Sequence, residues 1–184
     1  MRVVSGSAKG RKIKSVPGDS TRPIADRVKV ALFDILSGDM PGAQVLDLFA
    51  GTGSVGIEAL SRGAKRAVFI DNDVMAIRTI RENLGSTGLA GQAEVLRLDS
   101  FLYLNRRDHP RFDLIYIAPP QYRGLWLQAL ELIDGRPDWL NEDGMAVVQI
   151  HPREYHDPGL KVLAEFDRRK YGNTLLLFYE RPGR

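Results

Sequence analysis

The chain has 184 residues, 43% hydrophobic and 27% charged, enough to bury a sizeable core and too apolar for a disordered chain. It has no cysteine, which excludes disulfides, thiolate zinc sites and a cysteine nucleophile. No apolar run approaches the ~18 residues of a membrane span, and the start has no secretory apolar stretch, so a single cytoplasmic domain over 1–184, monomeric and away from membranes, is expected.

Net charge is only +3, but it is unevenly placed. Residues 1–36 hold eight Lys and Arg against three Asp, which leaves the remainder mildly acidic. One basic end suits a polyanion such as nucleic acid; a solvated surface segment would look the same. "MRVVSG" and "GRKIKSV" flank a Gly-rich turn and are expected to form a small basic hairpin within 1–20. "TRPIADRVKVALFDIL" follows as a helix, with Pro23 near its first position and Val28, Ala31, Leu32 and Ile35 on one face.

From residue 44 onward, strand-like apolar runs alternate with helical patterns. "QVLDLFAG" (44–51), "RAVFIDND" (66–73), "AEVLRLDS" (93–100), "FDLIYIA" (112–118) and "GMAVVQI" (144–150) are the strands. Between them, Ile77, Ile80 and Leu84, and then Trp126, Ala129, Leu130 and Ile133, recur at helical spacing. This alternation predicts an α/β fold with a mostly parallel, Rossmann-like sheet. The last two strands, "KVLAEFDRRKYG" and "NTLLLFYE", are joined too tightly for a parallel crossover and must form an antiparallel hairpin.

The first strand runs into Gly51-x-Gly53-x-x-Gly56, then a helix. Glycines there let backbone approach a ligand and aim the helix N-terminal amides at it. Asp71 ends the next strand, placed to accept from two ribose hydroxyls, with Asn72 beside it. Both a nicotinamide dinucleotide and S-adenosylmethionine fit this much. Asp47, four residues before the loop, suits loop orientation or a cationic ligand, and Asp99-Ser100 ends the third strand where an adenine amine would need an acceptor. No chain remains for the separate substrate domain that a nicotinamide enzyme needs, so S-adenosylmethionine is favoured. Each of these acids has a plainer use as a helix N-cap, a task that Asp73 also suits.

The stretch "FDLIYIAPPQY" (112–122) raises a second question. Enzymes that methylate amino nitrogens of bases carry Asp or Asn, Pro-Pro and an aromatic residue at such a strand end. Here Ala118 stands at the position of the acid or amide, and Gln121 separates Pro119 and Pro120 from Tyr122. The chain resembles the bacterial 16S ribosomal RNA guanine-N2 methyltransferases of the small subunit, through "MRVVSGSAKGRKIKSV", "TRPIADRVKVALFDIL", "VLDLFAGTGSVGIEALSRGA", "FIDND" and the Pro-Pro strand end.

That resemblance implies a seven-strand class I methyltransferase fold, S-adenosylmethionine as donor, and 16S rRNA or the small subunit as partner through the basic N-terminal segment. It places Gly51 and Gly53 under the methionine part of the donor, Asp71 at the ribose, Asp99, Ser100 and Phe101 at the adenine, and Arg22 at the carboxylate. Lys9, Arg11, Lys12 and Lys14 fit phosphate contacts; Arg27 and Lys29 are helix-surface charges of less certain use.

At the strand end, Pro119 keeps a carbonyl acceptor for the guanine amine. Gln121 offers a replacement acceptor and Tyr122 a stacking face, so Pro119, Pro120, Gln121 and Tyr122 form the expected catalytic segment. Losing one aimed acceptor costs ~10²–10³ in rate. The alternative is an rRNA-binding assembly factor that has kept the donor fold and lost turnover. His109, His151 and His156 lack a metal-binding pattern and are expected at the surface or in turns; Trp126 and Trp139 are expected as core or loop anchors and not as base-stacking groups.

Overall fold

The computed structural model describes residues 1–18 and 23–182. Its elements in chain order are α1 (Asp26–Ile35), β1 (Gln44–Asp47), α2 (Ser54–Ser61), β2 (Arg66–Asp71), α3 (Val74–Thr87), β3 (Ala93–Arg97), α4 (Ser100–Leu104), β4 (Phe112–Ile117), α5 (Leu125–Gly135), β5 (Leu140–Ile150), β6 (Ala164–Tyr171) and β7 (Thr174–Glu180). The strands form one sheet in the order β3-β2-β1-β4-β5-β7-β6. Strands β1 to β5 pair in parallel, while β7 runs antiparallel to both β5 and β6.

The strands read as unbroken apolar runs because helices cover both faces of the sheet. Along β2, Ala67 and Phe69 pack with α1, α2 and α3, whereas Val68 and Ile70 pack with α4 and α5. The second layer holds Trp126 and Trp139, both essentially inaccessible, as expected of core anchors. Ile77, Ile80 and Leu84 are buried, as is the Trp126 to Ile133 stripe. Strand order reverses between β1 and β4, so their C-terminal ends diverge and leave a crevice, where ligands of open α/β sheets bind.

The N-terminal third departs from expectation in three ways. Helix α1 starts at Asp26, capped by Ala25 in extended conformation, so Pro23 lies ahead of it and not near its first position. Its buried face is Val28, Lys29, Leu32 and Phe33, with Ile35 over a third exposed. The basic hairpin reduces to a single antiparallel bridge, Arg2 with Lys12, flanked by Val3 and Ile13 amides donating to the Arg11 and Met1 carbonyls.

What holds this segment is docking. Val3, Ala8, Ile13 and Val16 are buried, and Glu58 on α2 accepts from the Val4 and Ser5 amides at 2.8 and 3.0 Å. Gly6 sits at φ +81°, where a Cβ would lie 1.7 Å from the Ser61 carbonyl oxygen. Only glycine permits that approach.

Lys29 is no surface charge. Its side chain is fully buried, and its Nζ donates to the Arg2 carbonyl at 2.6 Å and to Ser54 Oγ at 3.1 Å, with Glu58 Oε2 at 3.5 Å. Burial lowers the ammonium pKa, and Glu58 opposes that shift. Glu58, equally buried, is also paired with Arg62 Nε at 2.9 Å, so an apolar residue at 29 would leave it Arg62 and the two amides but remove its buried cation. Lys29 thus joins the N-terminal segment to the first turn of α2. Asn83 does the same from α3: its Oδ1 accepts from the Lys14 amide, and its Nδ2 donates to the Lys14 and Thr52 carbonyls.

Candidate active site

A cleft of about 1080 Å³ opens at the C-terminal ends of β1, β2 and β4. It brings together most of the residues singled out in the sequence: Asp47, Gly51, Asp71, Asn72, Asp99, Ser100 and Phe101 on one side, and Pro119, Pro120, Gln121 and Tyr122 on the other. Arg22 lies outside the described residues.

The donor side is built from backbone amides held by carboxylates. Gly51 and Gly53 adopt φ of +55° and +76°, and Gly53 is the N-cap of α2. Gly56 packs the helix on the sheet, since a Cβ there would meet the Phe69 ring at 2.3 Å. Asp71 fixes the loop: its Oδ2 accepts from the Gly51 amide and its Oδ1 from the Asp73 amide, each at 2.9 Å. Each oxygen keeps a lone pair for a further donor such as a ribose hydroxyl. Asp73 caps α3 by accepting from the Met75 amide. Asn72 is exposed at the rim.

Asp99 is a helix cap with one carboxylate oxygen to spare. It caps α4 through Oδ1, which accepts from the Phe101 and Leu102 amides at 2.9 and 3.0 Å. Its Oδ2 takes no hydrogen bond among the described residues. The Ser100 hydroxyl donates to the Leu48 carbonyl, which turns it into the core and away from a ligand. Phe101 meets Phe49 edge to face at 6.1 Å, and both line the cleft.

Asp47 lies in the floor, buried, with Oδ2 accepting from the Gly56 amide at 3.2 Å. Burial pushes its carboxyl up to about 8; the single amide works against this and nearby Asp71 adds to it. Tyr116 stands next to it in the floor and donates its hydroxyl to Gln149 Oε1. Burial, then the Asp47 charge, raise the Tyr116 phenol well above its usual range, so it remains a donor.

On the target side, Pro119 is buried, Pro120 exposed, and Ala118 lines the cleft with no polar group. Gln121 makes no side-chain hydrogen bond among the described residues and is free to turn toward a ligand. Tyr122 is 63% exposed and, at φ +60°, is the one non-glycine residue in the left-handed region among those described. That strained turn is held from outside the motif: Glu154 Oε1 accepts from the Tyr122 amide at 2.6 Å and its Oε2 from the His151 amide at 3.1 Å. The His151 ring lies 5.6 Å from the Tyr122 ring.

Phe49, Tyr116, Gln149, His151 and Glu154 were not singled out for this site from the sequence. Gln149 left a signal, as a lone polar residue inside the apolar run "MAVVQI". Tyr116 precedes Ala118 by two, hence on the same strand face. His151 takes the turn role expected of it, as N-cap of the 3-10 turn Pro152–Glu154, and its half-buried side chain also lines the cleft. His109 is not at the surface: its ring stacks on Trp139 at 3.5 Å between centroids, with Nε2 3.2 Å from Asp138. No group of three or more metal-ligating side chains occurs among the described residues. Lys9, Arg11 and Lys12 are exposed, and Lys14 pairs with Glu82 at 3.1 Å.

Sheet order, glycine loop and strand-end acids define the class as the S-adenosylmethionine-dependent methyltransferases of the class I fold. The chain belongs to the family described as Conserved hypothetical protein 95, whose model matches residues 1–180. It is 39% identical over its whole length, and that of its relative, to the Bacillus subtilis protein YlbH, whose name places it provisionally among rRNA methyltransferases. It is 33% identical to the ribosomal RNA small subunit methyltransferase D of Escherichia coli K12, over 81% of this chain and 74% of that one. Among solved structures it superposes on the E. coli protein yhhF, provisionally titled a methyltransferase, with a TM-score of 0.87 and 29% identity, over 98% of this chain and 97% of that one.

Proposed function

We propose that the chain transfers the methyl group of S-adenosylmethionine to the exocyclic N2 of one guanine in 16S rRNA, acting in the cytoplasm as a monomer. The observation that carries this reading is the continuity of one cleft, from the Asp71-pinned glycine loop to the Pro119-Pro120 strand end. The residues present fit the donor: Gly51, at positive φ, lines the cleft ahead of the α2 N-terminus, Gly53 shapes that turn from its buried side, and Asp71 and Asp99 keep free lone pairs at the two strand ends. In this reading Gly51 and Gly53 hold the methionine end, Asp71 and Asn72 the ribose, and Asp99 and Phe101 the adenine. Asp47, and Arg22 from the undescribed segment, balance the amino-acid charges. When bound, the donor supplies a methyl group on a sulfonium.

The protein's part at the target is orientation. The guanine amine is a poor nucleophile because its lone pair is shared with the ring. A Pro119 carbonyl accepting from N2–H favours the pyramidal geometry that exposes that pair, and Tyr122 offers a face to the base. In this reading the exposed Lys9, Arg11 and Lys12 contact phosphates without reading sequence.

Ala118 favours a second reading, an rRNA-binding assembly factor that retains the donor cleft but turns over poorly. Labelled methyl transfer to small subunits lacking the mark, with base-level mapping, separates the two. Incorporation at one guanine amine establishes the enzyme; donor and particle binding without incorporation establishes the assembly factor.

A further inference from the structure

With Ala118 in place of the acid, the strand end itself offers no side-chain polar group; the polar lining of the target half comes from Gln121, Arg123, Gln149 and His151, and His151 is the one whose ring lies beside Tyr122. Three hydrogen bonds define its state. The His151 amide is held by Glu154 Oε2 at 3.1 Å, while the same carboxylate holds the Tyr122 amide at 2.6 Å through Oε1. His151 Nδ1 accepts from the Arg153 amide at 3.1 Å. A nitrogen that accepts from an amide carries no proton, so the neutral ring must carry its proton on Nε2. Nε2 has no protein partner among the described residues.

This tautomer settles what the ring offers. It cannot replace the lost carboxylate as an acceptor for the guanine amine; it offers a donor. Guanine presents ring and carbonyl acceptors that a donor reads, and its flat faces suit the Tyr122 phenol. We infer that His151 is a specificity-determining residue of the target site, donating Nε2–H to an acceptor of the base while Tyr122 stacks on it, and that Glu154 is the positioning residue that holds the backbone of both. The inference rests on the guanine-methylation reading above. It accounts for two features that reading leaves unexplained: the left-handed backbone at Tyr122, a cost that a plain loop would shed, and a Glu154 carboxylate that, beyond closing the capping box of its own turn at His151, reaches the Tyr122 amide of another loop.

The amine then keeps its acceptor in the Pro119 carbonyl, with Gln121 free to add a second. Donor and acceptors act on different atoms of the base. Recognition here is thus divided between two chain segments, 119–122 and 151–154, and the Pro-Pro motif supplies only one of them.

The test is methyl transfer to unmarked small subunits by wild type, His151→Phe, His151→Gln and Glu154→Ala, with donor affinity measured on each. Phe keeps the ring and removes the donor; Gln restores an N–H without the ring. The expected result is a loss of about tenfold in kcat/KM for His151→Phe at unchanged donor affinity, the size of one missing hydrogen bond to the substrate, with His151→Gln recovering most of it. Glu154→Ala should lose at least as much while its thermal stability stays near wild type, because only a surface turn is released. Equal activity of His151→Phe and wild type overturns the inference and leaves the methylation reading standing. Parallel loss in Phe and Gln together with weakened donor binding also overturns it, by showing a structural role. A wild type that labels no guanine overturns the reading beneath it as well.

Discussion

The two halves of the cleft are built on different principles. The donor half is local: Gly51, Gly53 and Asp71 lie at successive strand ends, and the contacts that shape it join a loop to the acid of the neighbouring strand. The target half is assembled at a distance. Tyr122 follows β4, but its backbone is held by Glu154, which lies beyond β5, thirty-two residues on. A site made of backbone amides tolerates most side-chain changes outside its few acids and glycines. A site made of side chains borrowed from another loop is free to be rebuilt, and the exchange of the expected acid for Ala118 sits in that half.

The largest effect should come from the donor half. Asp71→Ala removes both the pin on Gly51 and the acceptor for the ribose, so donor affinity should fall by about 100-fold or more, as loss of charge-assisted hydrogen bonds does. Calorimetric titration of the donor analogue S-adenosylhomocysteine measures this. A change under threefold would mean that the loop holds its shape, and the ribose its place, without Asp71.

Next in size is Gly6→Val. It sets a β-branched residue at φ +81° against the Ser61 carbonyl, so the N-terminal segment must lift from α2. We expect a loss of about 2 kcal/mol in stability and about tenfold in small-subunit affinity, with a shallower salt dependence of binding. Donor affinity should fall by only about threefold, through Lys29 and Ser54. Equal loss of donor and subunit binding would merge the two functions that the comparison separates.

How much of this was legible in the sequence follows the same division. The strands, their order of appearance and the closing hairpin were readable, because buried parallel strands are plain apolar runs and a turn as short as Gly172-Asn173 admits only antiparallel pairing. The donor residues were readable because each sits at a strand end, where chain position and spatial position coincide. Lys29 was misjudged as a surface charge because its partner, Glu58, lies on another helix and nothing in its own neighbours marks it. Likewise α1 starts at Asp26 and not near Pro23: Ala25 is extended, and Ile24 ahead of it is buried in the core. His151 and Glu154 were illegible for the same reason: their role comes from a loop thirty residues away.

Within the donor half, Asp47 supplies a pH test. Its folded carboxyl titrates near 8, held up chiefly by burial, whereas in the unfolded chain it titrates near 3.8. Between those values the folded state binds the extra proton, so this group lowers stability as pH rises from about 4 to about 8, after which its contribution levels off. Asp47→Asn still accepts from the Gly56 amide but cannot ionise, so its unfolding free energy should lack that decline and exceed wild type by about 1–3 kcal/mol at pH 8. Donor binding should show the opposite trend. A cationic donor favours the carboxylate, so wild-type affinity rises with pH toward 8, and the variant's should stay flat and about tenfold weaker there. Denaturant titrations and binding isotherms at pH 6, 7 and 8 measure both trends; parallel curves for the two proteins would remove Asp47 from the donor site.

The smallest expected effect tests the rebuilt half directly. Ala118→Asp returns an acceptor to the strand end, where Pro119 already supplies a carbonyl and the Gln121 side chain has no hydrogen-bond partner among the described residues. Because those two share the task, the gain in kcat should be several-fold at most, well short of the ~10²–10³ that one acceptor is worth in a site dependent on it. Donor affinity should change by less than about twofold, since residue 118 lies across the cleft from Asp71 and Asp99. The informative comparison is the double variant with His151→Phe. If the histidine donates to the base while the new carboxylate accepts from its amine, the two changes act on different atoms and their effects on kcat/KM should multiply. A gain from Ala118→Asp that appears only in the His151→Phe background would show instead that the histidine had taken over the acid's task, and that the Nε2–H donor is not what the base meets.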